Sequence, residues 1–189
     1  SSLENTSKKT EKELSTGKKV NSAADDVSGM GIVQKLESKT KEYAMQIKNL
    51  QNDISAYQTG DSGLKGISDN ISSLRELSVK YKNDTLSDED RKSIEDEAGN
   101  ILADIEGAAS DTEFNTGKLL SNYSVDKLGL SGTTLGDSDL SKKLDSALES
   151  VNNGRADFGA KINSAESEAV KLTVANENST AASSRIEDA

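Results

Sequence analysis

The sequence of 189 residues contains no cysteine, no histidine, no proline and no tryptophan. Without cysteine there can be no disulfide and no thiolate chemistry, and without histidine the commonest general base and metal ligand is missing. Average usage would give roughly nine prolines in a chain of this length. Because a proline in a helix interior costs about 3 kcal/mol, its complete absence is typical of a chain that is mostly helix.

Aromatic residues and long apolar runs are also scarce. Aromatics make up 3% of the chain, and all apolar residues together make up 32%. A compact core normally depends on large aromatic area, so this composition favours long helices that share narrow seams. No apolar run approaches the roughly 20 residues of a membrane span. The net charge of −10 argues against nucleic acid or an anionic membrane as the main partner.

The strongest positive signal is a hydrophobic period that begins at residue 43. Its apolar positions alternate steps of four and three residues, with one position skipped at Asp61, which is the pattern of a coiled-coil seam. Four earlier apolar residues, Val27, Met30, Val33 and Leu36, are spaced to continue this face. The sequence therefore predicts one long helix from about residue 23 to 81. Gly60, Gly63 and Gly66 weaken its middle by up to ~1 kcal/mol each and allow a second helix to approach closely. The seam positions are Tyr43, Ile47, Leu50, Ile54, Tyr57, Leu64, Ile67, Ile71 and Leu74.

Further elements follow the long helix. Ser87 with Asp90 three residues later makes a capping-box pattern, which predicts a second helix over about 88–110. The stretch "TEFNTGKLLSNYSVDKLGLSGTTLGD" loses the helical period and gathers turn-forming residues, so we expect one or two short β-hairpins with turns. From Leu140 the four–three alternation returns and continues to the end of the sequence. The predicted fold class is therefore mainly α: an elongated rod of long antiparallel, coiled-coil-like helices with a small β-hairpin region at one end.

The stretch "NSAADD" contains a pair of adjacent carboxylates that invites a catalytic or metal-binding interpretation. Two neighbouring side chains on a helix point about 100° apart, which is poor geometry for sharing a proton or a metal ion. Ser22 and Asp25 instead have the Ser-x-x-acid spacing of a helix start, and Asn21 precedes them in the turn. We interpret Asn21, Ser22 and Asp25 as capping residues. With no phosphate loop, nucleophile motif or ligand cluster, the sequence predicts no enzyme, no metal and no cofactor.

Three stretches in order resemble bacterial flagellin, the subunit of the flagellar filament. "LSTGKKVNSAADDVSGMGI" is similar to the amino-terminal conserved region of that family. The segment from "AYQTGDSGLKGI" to "TEFNTGKLL" resembles the long helix, loop and second helix that follow it. "RADFGA" and "SRIEDA" resemble parts of the carboxy-terminal helix. The resemblance implies a structural protein of the secreted, extracellular flagellum whose partners are other flagellin subunits.

The resemblance also implies a domain organisation. The family's helical rod with a small β portion is called D1, and here residues 1–120 correspond to its amino-terminal part. Residues 121–139 correspond to a short β or turn region in place of a variable outer domain, and residues 140–189 to the carboxy-terminal helix. The helical register runs on to the last residue, so we expect a core fragment that lacks the family's terminal D0 segments. Such a fragment should be a soluble monomer, and an export chaperone would bind the missing carboxy-terminal segment.

Flagellins of this type are also ligands of the innate immune receptor TLR5. The resemblance places the contact face on "LRELSVK" and the second helix, with Leu77 and Glu97 at matching positions and Arg75 and Glu76 beside them. The family's arginine two positions before Arg75 is Ser73 here, which predicts weakened recognition. From the residues alone, Leu77 is equally an apolar residue flanking the seam, and Glu97 a solvated charge.

Two alternatives remain open at the level of sequence. Hook–filament junction proteins share parts of the same terminal pattern, although "RIEDA" and the "NSAADD" region favour flagellin itself. A helical binding module with no flagellar role is the other alternative, and it leaves the ordered motifs unexplained.

Overall fold

A computed structural model describes residues 2–18 and 27–188 of the chain. It contains four α-helices in these ranges: α1 (Ser2–Thr16), α2 (Val27–Tyr81), α3 (Asp88–Asp111) and α4 (Leu140–Asp188). Two short antiparallel strands, β1 (Glu113–Phe114) and β2 (Gly117–Lys118), and a 3-10 helix (Ser121–Tyr123) lie between α3 and α4. The predicted fold class, mainly α with a small β-hairpin, is confirmed. No helix among the described residues is long and apolar enough to cross a membrane.

The predicted helix boundaries agree closely with the observed ones. The long helix ends at Tyr81 as expected, while the first four residues of its predicted span lie outside the described ranges. The second helix ends at Asp111, one residue beyond the prediction. The strands lie before residue 121, whereas residues 121–139 contain the 3-10 helix and a series of turns.

The hairpin turn is tight because only two residues connect its strands. Phe114 pairs with Gly117, so Asn115 and Thr116 form the loop, and both have positive φ angles, 48° and 67°. Positive φ at both central residues is the geometry of a type I′ turn, whose twist matches that of the flanking strands. Asn tolerates this conformation well, but a β-branched Thr adopts it only under strain.

Two compact units make up the chain. The first unit comprises residues 1–51 and 165–189, and the second comprises residues 52–164. Helices α2 and α4 each supply residues to both units.

The second unit contains the principal hydrophobic core. Aliphatic residues from α2, α3, α4 and the connecting loops bury one another there, and aromatic residues only border the cluster. The sequence-derived seam runs through it, since Leu64, Ile67, Ile71 and Leu74 are all buried. The remaining core residues are Leu77, Ala98, Ile105, Ala109, Leu120, Leu128, Leu130, Leu135, Leu140, Leu144, Ala147 and Val151.

The first unit has the same helical period but a much thinner interior. Val33 and Ala165 are its buried apolar residues within the described part of the chain. Other seam positions, among them Ile47 on α2 and Leu172 and Ser183 on α4, are half-buried. An ion pair between Lys18 and Glu187 lies in this unit and raises the pKa of Lys18 through its hydrogen bond to the carboxylate.

Candidate functional site

The close approach of helices in the second unit depends on glycine. A Cβ built on Gly60 would lie 2.6 Å from the ring of Phe158, and one on Gly63 would lie 2.6 Å from Leu120. Real Cβ atoms do not approach other atoms this closely, so a larger residue would displace these neighbours. Gly154 on α4 is similarly enclosed, by Tyr123 and Leu64. Gly66, by contrast, has open space around it. The expected close approach of a second helix is therefore found at Gly60, where Phe158 of α4 is the neighbour, while Gly63 packs against the segment between α3 and α4.

The position skipped in the α2 seam is occupied by an ion pair. Asp61 accepts hydrogen bonds from Arg155 of α4, at 2.9 Å to Nε and 3.4 Å to the terminal nitrogen. Both side chains are about one-third exposed, so solvent screens the pair in part. The hydrogen bond to Asp61 nevertheless holds the pKa of the Arg155 guanidinium above its ordinary value. Sequence reasoning missed this pair, although a lone carboxylate in an aliphatic seam was the available signal.

The start of α3 is fixed by reciprocal capping. The Ser87 hydroxyl accepts a hydrogen bond from the backbone N–H of Asp90, and the Asp90 carboxylate accepts one from the backbone N–H of Ser87. The Ser87 hydroxyl also donates a hydrogen bond to the Asp90 carboxylate at 2.6 Å. This bond and the one from the Ser87 backbone N–H lower the pKa of Asp90, because both favour its charged form. The other proposed caps, Asn21, Ser22 and Asp25, lie outside the described residues.

The turn between α2 and α3 is held from both sides. Arg91 of α3 donates to the backbone carbonyls of Tyr81 at 2.8 Å and Asn83 at 3.0 Å, and its guanidinium stacks 5.2 Å from the Tyr81 ring centroid. The Tyr81 hydroxyl donates to Glu95, which raises the pKa of Tyr81. These contacts connect the end of α2 to the first turns of α3.

The four residues proposed for receptor contact differ in how exposed they are. Glu76 and Glu97 are exposed on α2 and α3. Arg75 is half-buried and forms an ion pair with Asp145 of α4, while its Nε is buried with no hydrogen-bond partner. Leu77 is only 3% exposed and packs in the core of the second unit. Of the two readings left open for Leu77, its burial favours that of an apolar residue in the helix seam.

No chemical site emerges around these residues. Within residues 2–18 and 27–188, no group of three or more carboxylates is placed to hold a metal ion. A cavity of about 320 Å³ lies between α2, α3 and the loop before α4, and apolar residues including Leu74, Leu102 and Leu135 line most of it.

Comparison with known proteins identifies the family to which this chain belongs. The model of the bacterial flagellin N-terminal helical region matches residues 1–125, which is more than half of the chain. This chain belongs to the bacterial flagellin family. Its members are structural filament proteins and not enzymes.

Alignments with some individual relatives cover more of this chain than the family model does. The flagellar filament 30.7 kDa core protein of Treponema maltophilum is 31% identical over 218 residues, covering 93% of this chain and 76% of that relative. A flagellin of Halalkalibacterium halodurans is 29% identical over 214 residues, covering 97% of this chain and 78% of the relative. The phase 1 flagellin of Salmonella naestved is 40% identical over 108 residues, covering 57% of this chain and 21% of the relative. The chain is thus a structural subunit of the flagellar filament, which lies outside the cell.

Proposed function

We propose that these residues form the D1 part of a filament subunit and that polymerisation depends on the D0 segments that the flagellin resemblance implies. The observation that best supports this proposal is the core of the second unit, in which Leu64, Ile71, Leu144 and their neighbours are buried within a single chain. A helical unit that already buries its own core can exist as a folded monomer. Lengthwise association then has to come from additional surfaces or segments.

Sedimentation of two proteins tests whether polymerisation depends on the terminal segments. A protein consisting of these 189 residues is expected to remain a soluble monomer, whereas the same residues flanked by the family's terminal segments should form filaments. Circular dichroism of the shorter protein controls for folding, since it should show a mainly helical spectrum. Fibres formed spontaneously by the shorter protein would contradict the dependence on terminal segments.

The proposal extends to export. The subunit reaches the filament by secretion, and an export chaperone binds the family's carboxy-terminal segment and not the helices described here. The lack of proline and cysteine suits a chain that crosses an export channel unfolded, because neither prolyl isomerisation nor disulfide formation would delay its folding afterwards.

The receptor TLR5 is a second proposed partner, recognised more weakly than by flagellins that carry an arginine at position 73. Ser73 is exposed, and its hydroxyl donates to the carbonyl of Asp69 at 3.2 Å, so it offers a partner little surface. The closest arginine in the sequence, Arg75, forms an ion pair with Asp145. Arginine at an interface centre often contributes 2 kcal/mol or more of binding free energy. Glu76 and Glu97 remain the exposed residues of the proposed face.

A substitution at position 73, where this sequence departs from the family pattern, tests receptor recognition. Ser73→Arg should tighten receptor binding by about thirtyfold, the equivalent of ~2 kcal/mol. Ser72→Arg is the matched control, because it adds the same charge at the neighbouring exposed position of α2. Equal, tight binding by the original protein and both variants would show that position 73 does not determine recognition.

A further inference from the structure

Exposed apolar side chains are concentrated in the first unit. Among the described residues, six of the seven large hydrophobic side chains that remain exposed belong to it, and Val79 is the exception. The six are Leu14, Val27, Ile32, Met45, Val170 and Val174. Neighbouring apolar side chains that stay uncovered on a monomer mark sites of association, whereas single exposed apolar residues are common on any protein surface.

The two units also differ in net charge. The second unit carries 12 Lys and Arg against 21 Asp and Glu, a formal net charge of −9, whereas the first carries 11 against 12, a net charge of −1. Two copies that approach through their second units repel each other, but copies that approach through their first units do so much less. The nearly neutral first unit is therefore the better place for one copy to contact another.

One face of α4 in the first unit forms a stripe that we call the α4 stripe: Glu166, Val170, Val174 and Glu177. Steps of four, four and three residues place these side chains on one side of the helix. Val170 and Val174 are 64% and 51% exposed, and both glutamates are exposed. The stripe is thus an uncovered apolar pair with a carboxylate at each end, about 16 Å long at the helical rise.

One face of α2 in the same unit has the complementary pattern, and we call it the α2 stripe: Lys41, Met45 and Lys48. Steps of four and three residues again define one face. Met45 is 66% exposed, both lysines are exposed, and no ion pair involves either lysine within the described residues. This stripe is an uncovered apolar residue with an ammonium group at each end, about 10 Å long.

We propose that the α4 stripe of one subunit packs against the α2 stripe of a neighbouring copy of this chain. The proposal rests on the filament function described above and names the surfaces that serve it. Val170 and Val174 would cover Met45, while Glu166 and Glu177 would meet Lys41 and Lys48, whose long flexible side chains span the difference in stripe length. Because the two stripes differ, the interface is heterologous and can repeat from copy to copy without closing.

Charge reversal in the intact filament protein tests this pairing. The double variant Lys41→Glu, Lys48→Glu places four carboxylates around the apolar contact and should raise the critical concentration for seeded polymerisation at least tenfold, or ~1.4 kcal/mol per subunit. The fourfold variant that also carries Glu166→Lys and Glu177→Lys restores opposite charges across the contact. Its critical concentration should return to within about threefold of the original value.

A matched control separates the contact from the overall charge. Lys92→Glu with Lys127→Glu changes the net charge equally but alters exposed lysines of the second unit, and it should polymerise nearly as the original protein does. The inference is overturned if the first-unit double variant matches this control, or if the fourfold variant keeps a helical monomer spectrum but does not recover. Failure of the original intact protein to polymerise would instead refute the filament function.

Discussion

Both units contain parts of α2 and α4 and follow the same hydrophobic period, yet they differ in which side chains that period places inside. Sixteen of the buried apolar residues belong to the second unit and two to the first, among the residues described. In the first unit, the late seam positions of α4 are Asn176, Ser179 and Ser183, all only half-buried. A four–three period therefore determines which faces touch, whereas the size of the side chains determines how much free energy the contact provides.

A polar residue in the thinner seam adds a cost. The side-chain carbonyl oxygen of Asn176 is buried and has no hydrogen-bond partner. A buried polar atom left unpaired typically destabilises a fold by about 1–3 kcal/mol. The first unit consequently gains less from burial than the second and also carries this penalty, so it should open more readily.

A matched pair of leucine truncations should expose the difference most strongly. Leu144→Ala in the second unit removes a fully buried side chain and should lower the free energy of unfolding by about 3 kcal/mol. Leu172→Ala on the same helix in the first unit, where the leucine is only half-buried, should cost about 1 kcal/mol. Urea titrations followed by circular dichroism measure both. Equal losses would mean that the two interiors are equivalent after all.

A pair of glycine substitutions should sharpen the comparison with effects of opposite sign. Gly63→Ala would bring a Cβ within 2.6 Å of Leu120 and 2.8 Å of Thr112, so it should destabilise by about 1–2 kcal/mol after its gain in helix propensity. Gly31→Ala in the first unit meets no atom within 4 Å and should stabilise by up to ~1 kcal/mol.

Gly66→Ala supplies the control for position within α2. It lies three residues beyond Gly63 in the same unit but has open space, so it should behave like Gly31→Ala. Thermal melts of the three variants rank them. If all three substitutions lowered the melting temperature, open space around Gly31 and Gly66 would not be what determines the sign of the effect.

Acid should produce the smallest effect, and it should act on the second unit. Asp90 and Asp137 have pKa values lowered from 3.8 by hydrogen bonds from Ser87 and Thr134 respectively. Because the folded pKa lies below the unfolded one, this stabilisation is complete above the unfolded pKa and is lost as the pH falls through the folded value. Asp90→Asn cannot titrate, so its free energy of unfolding should fall less than that of the original protein between about pH 5 and about pH 3.

Much of this fold follows from local rules. The seam positions from residue 43 to 74 are all buried or half-buried, and α3 begins at the Ser87–Asp90 pattern. Periodicity and capping depend on residues a few positions apart, which is why a single sequence suffices for them. Val27 was assigned to the same apolar face but is 76% exposed, since it lies in the first turn of α2 where the seam has not yet begun.

The long-range contacts were harder to predict. Asp61 and Arg155 are 94 residues apart in the chain, and Arg75 and Asp145 are 70 apart, so neither pair follows from local spacing. The sequence allows Leu77 to be a surface contact or a seam residue. Its burial depends on a core to which α3, α4 and the connecting loops also contribute, and not on its own helix alone.

The pair formed by Asp61 and Arg155 also sets the alignment of α2 with α4. A seam that repeats every seven residues can match its partner almost as well after sliding by one heptad. Sliding α4 by seven residues in either direction would replace Arg155 with Leu148 or Ile162, leaving the Asp61 carboxylate against an aliphatic side chain. This polar contact, together with the ion pair of Arg75 and Asp145, thus favours one alignment of the two helices over others that hydrophobic contact alone would accept.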